Sequence, residues 1–174
     1  MLLVSFFLFI NTLFVSSTLI PTGRMSVSYE APAKEIQITS SSDKLAHYHS
    51  GNTKGEYLSI SIPENVSFRK VLNVTLTVMS HDQGWYTHDG SSTADVRIVH
   101  NGDEKKKFEG VYSNTKSTDE NLRGVPQKYT WTMPDADLPT VQPGMKITFE
   151  PRVQYEGWAN YVHSASFSLW YKRA

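Results

Sequence analysis

Two short stretches gather side chains able to do recognition chemistry. Ser80-His81-Asp82-Gln83-Gly84-Trp85 sets a carboxylate, a primary amide, a glycine and an indole in a row, and Tyr155-Glu156-Gly157-Trp158-Ala159-Asn160 repeats the theme. Sugar recognition needs planar hydrogen-bonding groups for hydroxyl pairs and an aromatic face for the apolar side of the ring. Asp82, Gln83 and Asn160 are candidates for the first task. Trp85 and Trp158 are candidates for the second, with Tyr86 or His88 as alternatives beside Trp85. The same residues also make sound turns: Asp satisfies backbone donors, Gly accepts positive φ, and Trp plugs the edge of a core. Both readings stand at this point. If the two corners meet at one end of the fold, Arg152 and His163 would join a shared cleft.

Catalytic signals are thinner. Asp82 and Glu156 would have to converge to form a glycosidase carboxylate pair, and no fold-specific signature demands it. His47-Tyr48-His49 places two imidazoles on one face of a strand, a spacing that can grip zinc or copper, but no third ligand is dictated. Serine-elbow, phosphate-loop and His-Glu-x-x-His motifs are missing. With no cysteine, thiol catalysis, thiolate metal sites and disulfides drop out together. No enzymatic activity, cofactor or metal is expected.

The elements that must position these residues read as strands. Ile36 and Ile38 flank Gln37; Leu58, Ile60 and Ile62 alternate with serines before Pro63; Leu72, Val74, Leu76 and Val78 form the clearest run. Val96 and Ile98 lead into Asn101-Gly102, a strong hairpin signal, with Phe108 to Tyr112 as the returning strand. Tyr129, Trp131 and Met133 alternate with threonines, Met145, Ile147 and Phe149 with Lys146 and Thr148, and Ala165, Phe167, Leu169 and Tyr171 with serines and Trp170. One apolar face per strand belongs to antiparallel sheets covered on one side, and seven or eight such strands favour two packed sheets. The expectation is an all-β antiparallel sandwich of jelly-roll type, a single domain over 25–174, with polar loops at 39–56 and 113–127.

Seventeen basic and seventeen acidic side chains cancel, so no net field favours nucleic acid. Asp103-Glu104-Lys105-Lys106-Lys107 is the only charge run and reads as a solvated turn. Residues 1–20 carry no charge and form an apolar leader: a cleaved signal peptide with small residues near Ser17, or an uncleaved membrane anchor, unless Met25 is the true start. Secretion or cell-surface display follows from the leader; a cytoplasmic protein follows from a start at Met25. Asn65-Val66-Ser67 and Asn73-Val74-Thr75 are N-glycosylation sequons, and Asn73 should face water. Nothing in the sequence dictates an oligomeric state.

Taken in order, the Ser80–Trp85 corner, Pro143-Gly144-Met145-Lys146-Ile147 and the stretch from Arg152 to Ala165 resemble a module common in fungal proteins, similar to galactose-binding-domain-like β-sandwiches. Members show a Ser-x-Asp-Gln-Gly-Trp corner and, late in the domain, a Gly-Trp-x-Asn-x-Val stretch before the last strand. The match spans residues 57 to 172. It implies a jelly-roll sandwich without established catalysis, and supplies no ligand residues to carry over. Members often lie inside multidomain intracellular proteins, which conflicts with the apolar leader here. The function expected is a non-catalytic binding module with a glycan as its ligand; the alternative is a structural or protein-interaction sandwich.

Overall fold

The computed structural model describes residues 34–49, 55–84, 91–114 and 124–174. The leader, Met25 and Trp85 with its neighbours Tyr86 and His88 lie outside them.

Among the described residues nine strands follow one another: β1 (Glu35–Ser42), β2 (Ala46–His49), β3 (Leu58–Ser61), β4 (Phe68–His81), β5 (Ser92–His100), β6 (Asp103–Phe108), β7 (Gln127–Thr132), β8 (Lys146–Val153) and β9 (Ala159–Arg173). One sheet runs β1-β9-β4-β7, with β2 also pairing to β9; the other runs β3-β8-β5-β6. Every pairing is antiparallel. Two sheets in this order make the jelly-roll sandwich that the strand periodicity predicts.

The core lies between the sheets. Val74, Leu76 and Val78 of β4 and Val162, Phe167 and Leu169 of β9 meet Ala94, Val96 and Ile98 of β5 and Ile147 and Phe149 of β8, all buried. Truncating a fully enclosed phenylalanine such as Phe149 or Phe167 costs about 3–5 kcal/mol in such cores.

Three local expectations need correction. The charge run Asp103–Lys107 is not a turn but strand β6, starting directly after Asn101-Gly102. Those two residues take φ of 53° and 85°, the mirror-image turn that suits a two-residue hairpin. Its lysines occupy a sheet edge, where charge discourages pairing with a second chain, and Phe108 to Tyr112 mostly follow the strand. The loop expected over 39–56 holds the end of β1 and all of β2. Finally, Leu72 is not part of the apolar series of β4: the register to β9 shifts between Val71 and Asn73, and Val71 takes the buried place.

A second shift matters more. Met79 pairs with Ser164 but Ser80 pairs with Val162, so His163 is an extra residue in β9. This bulge exchanges the faces of the strand. Ala165, Phe167, Leu169 and Tyr171 point inward beyond it, whereas Val162 and Asn160 point inward before it.

Candidate functional site

The two corners do meet, because the end of β4 and the start of β9 are neighbours: His81 pairs with Tyr161. What joins them is one side chain. Gln83 Nε2 donates to the Gly157 carbonyl (2.9 Å), and the Ala159 N–H donates to Gln83 Oε1 (2.6 Å). The amide thus stands in for a strand residue and fastens the second corner to the first.

Asp82 is buried, with Oδ1 accepting from the Gly84 N–H at 2.7 Å; Gly84 sits at φ 84° as that turn requires. Burial pushes the Asp82 carboxyl above its usual range, against the pull of the Gly84 hydrogen bond. Glu156 stands exposed on the opposite turn. Trp158 is 7% exposed and lies within the sandwich end.

Asn160 is fully enclosed and is the hub of a buried polar cluster. Its Oδ1 accepts from Ser80 Oγ (2.8 Å) and Asn114 Nδ2 (3.1 Å), with the Tyr112 hydroxyl at 3.2 Å. Its Nδ2 donates to the Thr93 carbonyl at 2.8 Å. Asn114 Nδ2 reaches Ser80 and Ser92 as well. Burial drives the Tyr112 phenol above its ordinary pKa. A connected cluster of this kind orders a core, because each member would be costly to leave alone.

Asp82, Gln83 and Asn160, expected to bond sugar hydroxyls, therefore give those atoms to the protein's own backbone and interior. The physical reason is parity: the β9 bulge turns Asn160 inward, and Asp82 continues the inward series of Leu76, Val78 and Ser80 on β4. Arg152 lines a cleft of about 410 Å³ with Thr93, Tyr112, Tyr129 and Gln154, to which no described residue of either corner contributes. Its Nε donates to Thr93 Oγ1 (3.0 Å) and pairs with Asp95 (3.2 Å). His163 does not join Arg152; the bulge places it on the outer face of the other sheet.

That outer face carries what sequence reading missed. His47, Tyr161 and His81 are register partners on β2, β9 and β4. Their rings stack face to face: 4.3 Å and 7° between His47 and Tyr161, 4.6 Å and 18° between Tyr161 and His81. His49 and His163 extend the row at 5.2 and 5.0 Å. His47 and His49 are exposed, whereas His81 Nδ1 lies 2.6 Å from the Asp82 carbonyl oxygen and His163 Nε2 is buried without a hydrogen-bond partner. His47 is thus a member of a stack, and His49 meets it edge-on at 62°. Among the described residues, no group of three or more His, Cys, Asp or Glu is arranged to hold a metal ion.

Further along the same face, Thr39, Ser168, Thr75 and Thr132 are consecutive partners across four strands, and Ser41, Ser166, Thr77 and Thr130 form the next row. Eight hydroxyl side chains stand on a grid with spacings of about 4.8 Å across strands and about 6.7 Å along them. Beyond one row lies Trp170, 38% exposed, flanked by Gln37 and Asn73. Gln37 Nε2 donates to Ser168 Oγ (3.1 Å). A depression of about 320 Å³ lined by Ser41, Asp43, Thr77, Ser164 and Ser166 opens on this grid. Alternating serines and threonines were visible in each strand; the register that lines them up was not.

No family model matches the chain, and no curated protein matches it. Solved structures similar to it include PorU from Porphyromonas gingivalis (9% identity, 80% of this chain and 13% of that one, TM-score 0.40). A structure of the infectious bursal disease virus Gx strain gives 12% identity over 82% of this chain and 38% of that one, TM-score 0.46. The xylan-binding module CBM15 gives 11% identity over 79% and 97%, TM-score 0.39. The chain spans well under two thirds of the first two, and likenesses this distant say nothing of what it binds.

Proposed function

We propose that this protein is a non-catalytic carbohydrate-binding sandwich whose contact surface is the outer face of the five-stranded sheet rather than the two tryptophan corners. The observation that carries the reading is the pairing of an exposed indole, Trp170, with two registered rows of uncharged hydroxyls. An indole offers an apolar face to a sugar ring, and hydroxyls both donate and accept toward sugar hydroxyls. The corners supply the frame: Gln83 and Asn160 fasten β9, on which Trp170, Ser168 and Ser166 are carried.

A glycan array, backed by pull-down on insoluble polysaccharides, tests this. Wild type should bind, and Trp170→Ala should lose most of that binding with little change in melting temperature. Gln83→Ala should lower the melting temperature instead and bind normally while folded. No binding by wild type on either format would overturn the reading in favour of a structural or protein-interaction sandwich.

Secretion or surface display remains a proposal resting on the apolar leader. It sets a condition on Asn73: a glycan attached there would stand beside Trp170.

A further inference from the structure

The carbohydrate reading leaves open whether the ligand is a single free chain or a surface, and the geometry of the grid decides between them. We infer that the outer face docks on an ordered, neutral polysaccharide, touching several parallel chains at once; this rests on the carbohydrate reading above. A free chain is normally held in a groove whose polar groups converge on one line of sugars. Here the polar groups spread in two dimensions, four strands wide and two rows deep, with a shallow depression beneath part of them.

Charge points the same way. All eight grid positions are serine or threonine, and the next register row, Ser164, Met79 and Lys128, adds one cation at the far edge. Asp43 lies at the opposite rim of the depression. A uronate or sulfate ester would call for paired guanidinium or ammonium groups. Among the described residues of this face the one such pair, Lys172 and Lys70, lies one row beyond Trp170 and outside the hydroxyl rows, with Lys172 3.9 Å from Glu35. Hydroxyls match neutral hydroxyls without regard to which side donates. Gln37 donates to Ser168 Oγ, so the Ser168 hydrogen is free to point toward an external acceptor.

Energetics agrees. A wet hydroxyl contact contributes little by itself, so affinity has to come from many contacts engaged together. A repeating solid offers that; a short soluble oligosaccharide does not.

The experiment compares depletion of the full chain by microcrystalline cellulose and by crystalline chitin with calorimetric titration of cellohexaose and chitohexaose. At least one solid should bind roughly ten-fold or more tightly than its soluble hexamer, as multivalent contact requires. The double variant Thr77→Val/Ser166→Ala, placed at the centre of the grid, should lose most of the binding to the solid while keeping its melting temperature. Equal affinity for hexamer and solid would overturn this inference and leave the carbohydrate reading intact. Binding to neither would overturn both; activity of the wild type in an ice-recrystallisation assay, lost in the double variant, would then assign the grid to ice.

Discussion

The two outer faces of this sandwich meet the same solvent with opposite chemistry. On the four-stranded sheet, Asp95 stands opposite Glu150 and Arg97 opposite Lys107, like charge facing like. The pairs are satisfied on the diagonal: Arg97 to Glu150 at 3.0 Å and Lys107 to Asp95 at 3.1 Å, with Arg152 on the other Asp95 oxygen. Asp95 is only 2% exposed, so the lattice is partly withdrawn from water. The five-stranded sheet has no such lattice across its two hydroxyl rows. Strand propensity favours threonine on both faces alike, so propensity alone does not explain why one face is charged and self-satisfied and the other neutral and open. The first face is occupied with its own stability. The second is available.

Substitutions can break or sharpen that contrast. The largest effect belongs to neither face but to the cluster between the sheets: Asn160→Ala should cost roughly 3 kcal/mol, because Ser80, Tyr112 and Asn114 lose a common partner in the interior. Urea titration checks it, and a variant that kept its stability but lost glycan binding would return the ligand to the corners. Next, Asp95→Ala should cost roughly 1–2 kcal/mol, because the Gly110 N–H loses its acceptor and Lys107 and Arg152 lose a shared carboxylate, keeping Glu109 and Thr93. Thr77→Val and Ser166→Ala should each stay within about 0.5 kcal/mol of wild type; a large loss there would make the hydroxyl face structural. Smaller still is the response to salt. Raising ionic strength should weaken the charged face and leave glycan affinity unchanged, since the binding rows carry no charge.

The ring row adds a pH signature to the neutral face. Burial, helped by His81, holds His163 below its ordinary value of 6.5. The unfolded chain then takes up that proton more readily than the folded one. Stability from this group is therefore complete above about pH 6.5 and is lost as pH falls through the depressed folded value. Melting curves of wild type and His163→Gln across that interval should diverge on the acid side.

Much of the fold was legible because alternation survives in single strands: the apolar series of β4, β5, β8 and β9 are the series that fill the core. β6 escaped because its lysines and acids look like a loop when read locally, although a charged edge is a normal way to end a sheet. β2 escaped because four residues, two of them exposed histidines, are too short to show a period. The described parts of the two corners converge, yet Asn160 faces inward for a reason no spacing rule contains: one extra residue, His163, inverts the parity of β9. The hydroxyl rows were hidden for a related reason. Each strand displays its threonines or serines openly, but alignment across four strands is a property of register. Register is set by partners as distant along the chain as Ser41 and Ser166, about which local pattern is silent.

Strand β9 lies between β1 and β2 on one side and β4 on the other. During synthesis the ribosome therefore releases both flanking partners long before the piece that joins them. Until β9 has emerged, that edge of β4 presents unpaired backbone N–H and C=O groups, open to pairing with another chain. The larger sheet therefore closes only once β9, the strand that joins its parts, is in place.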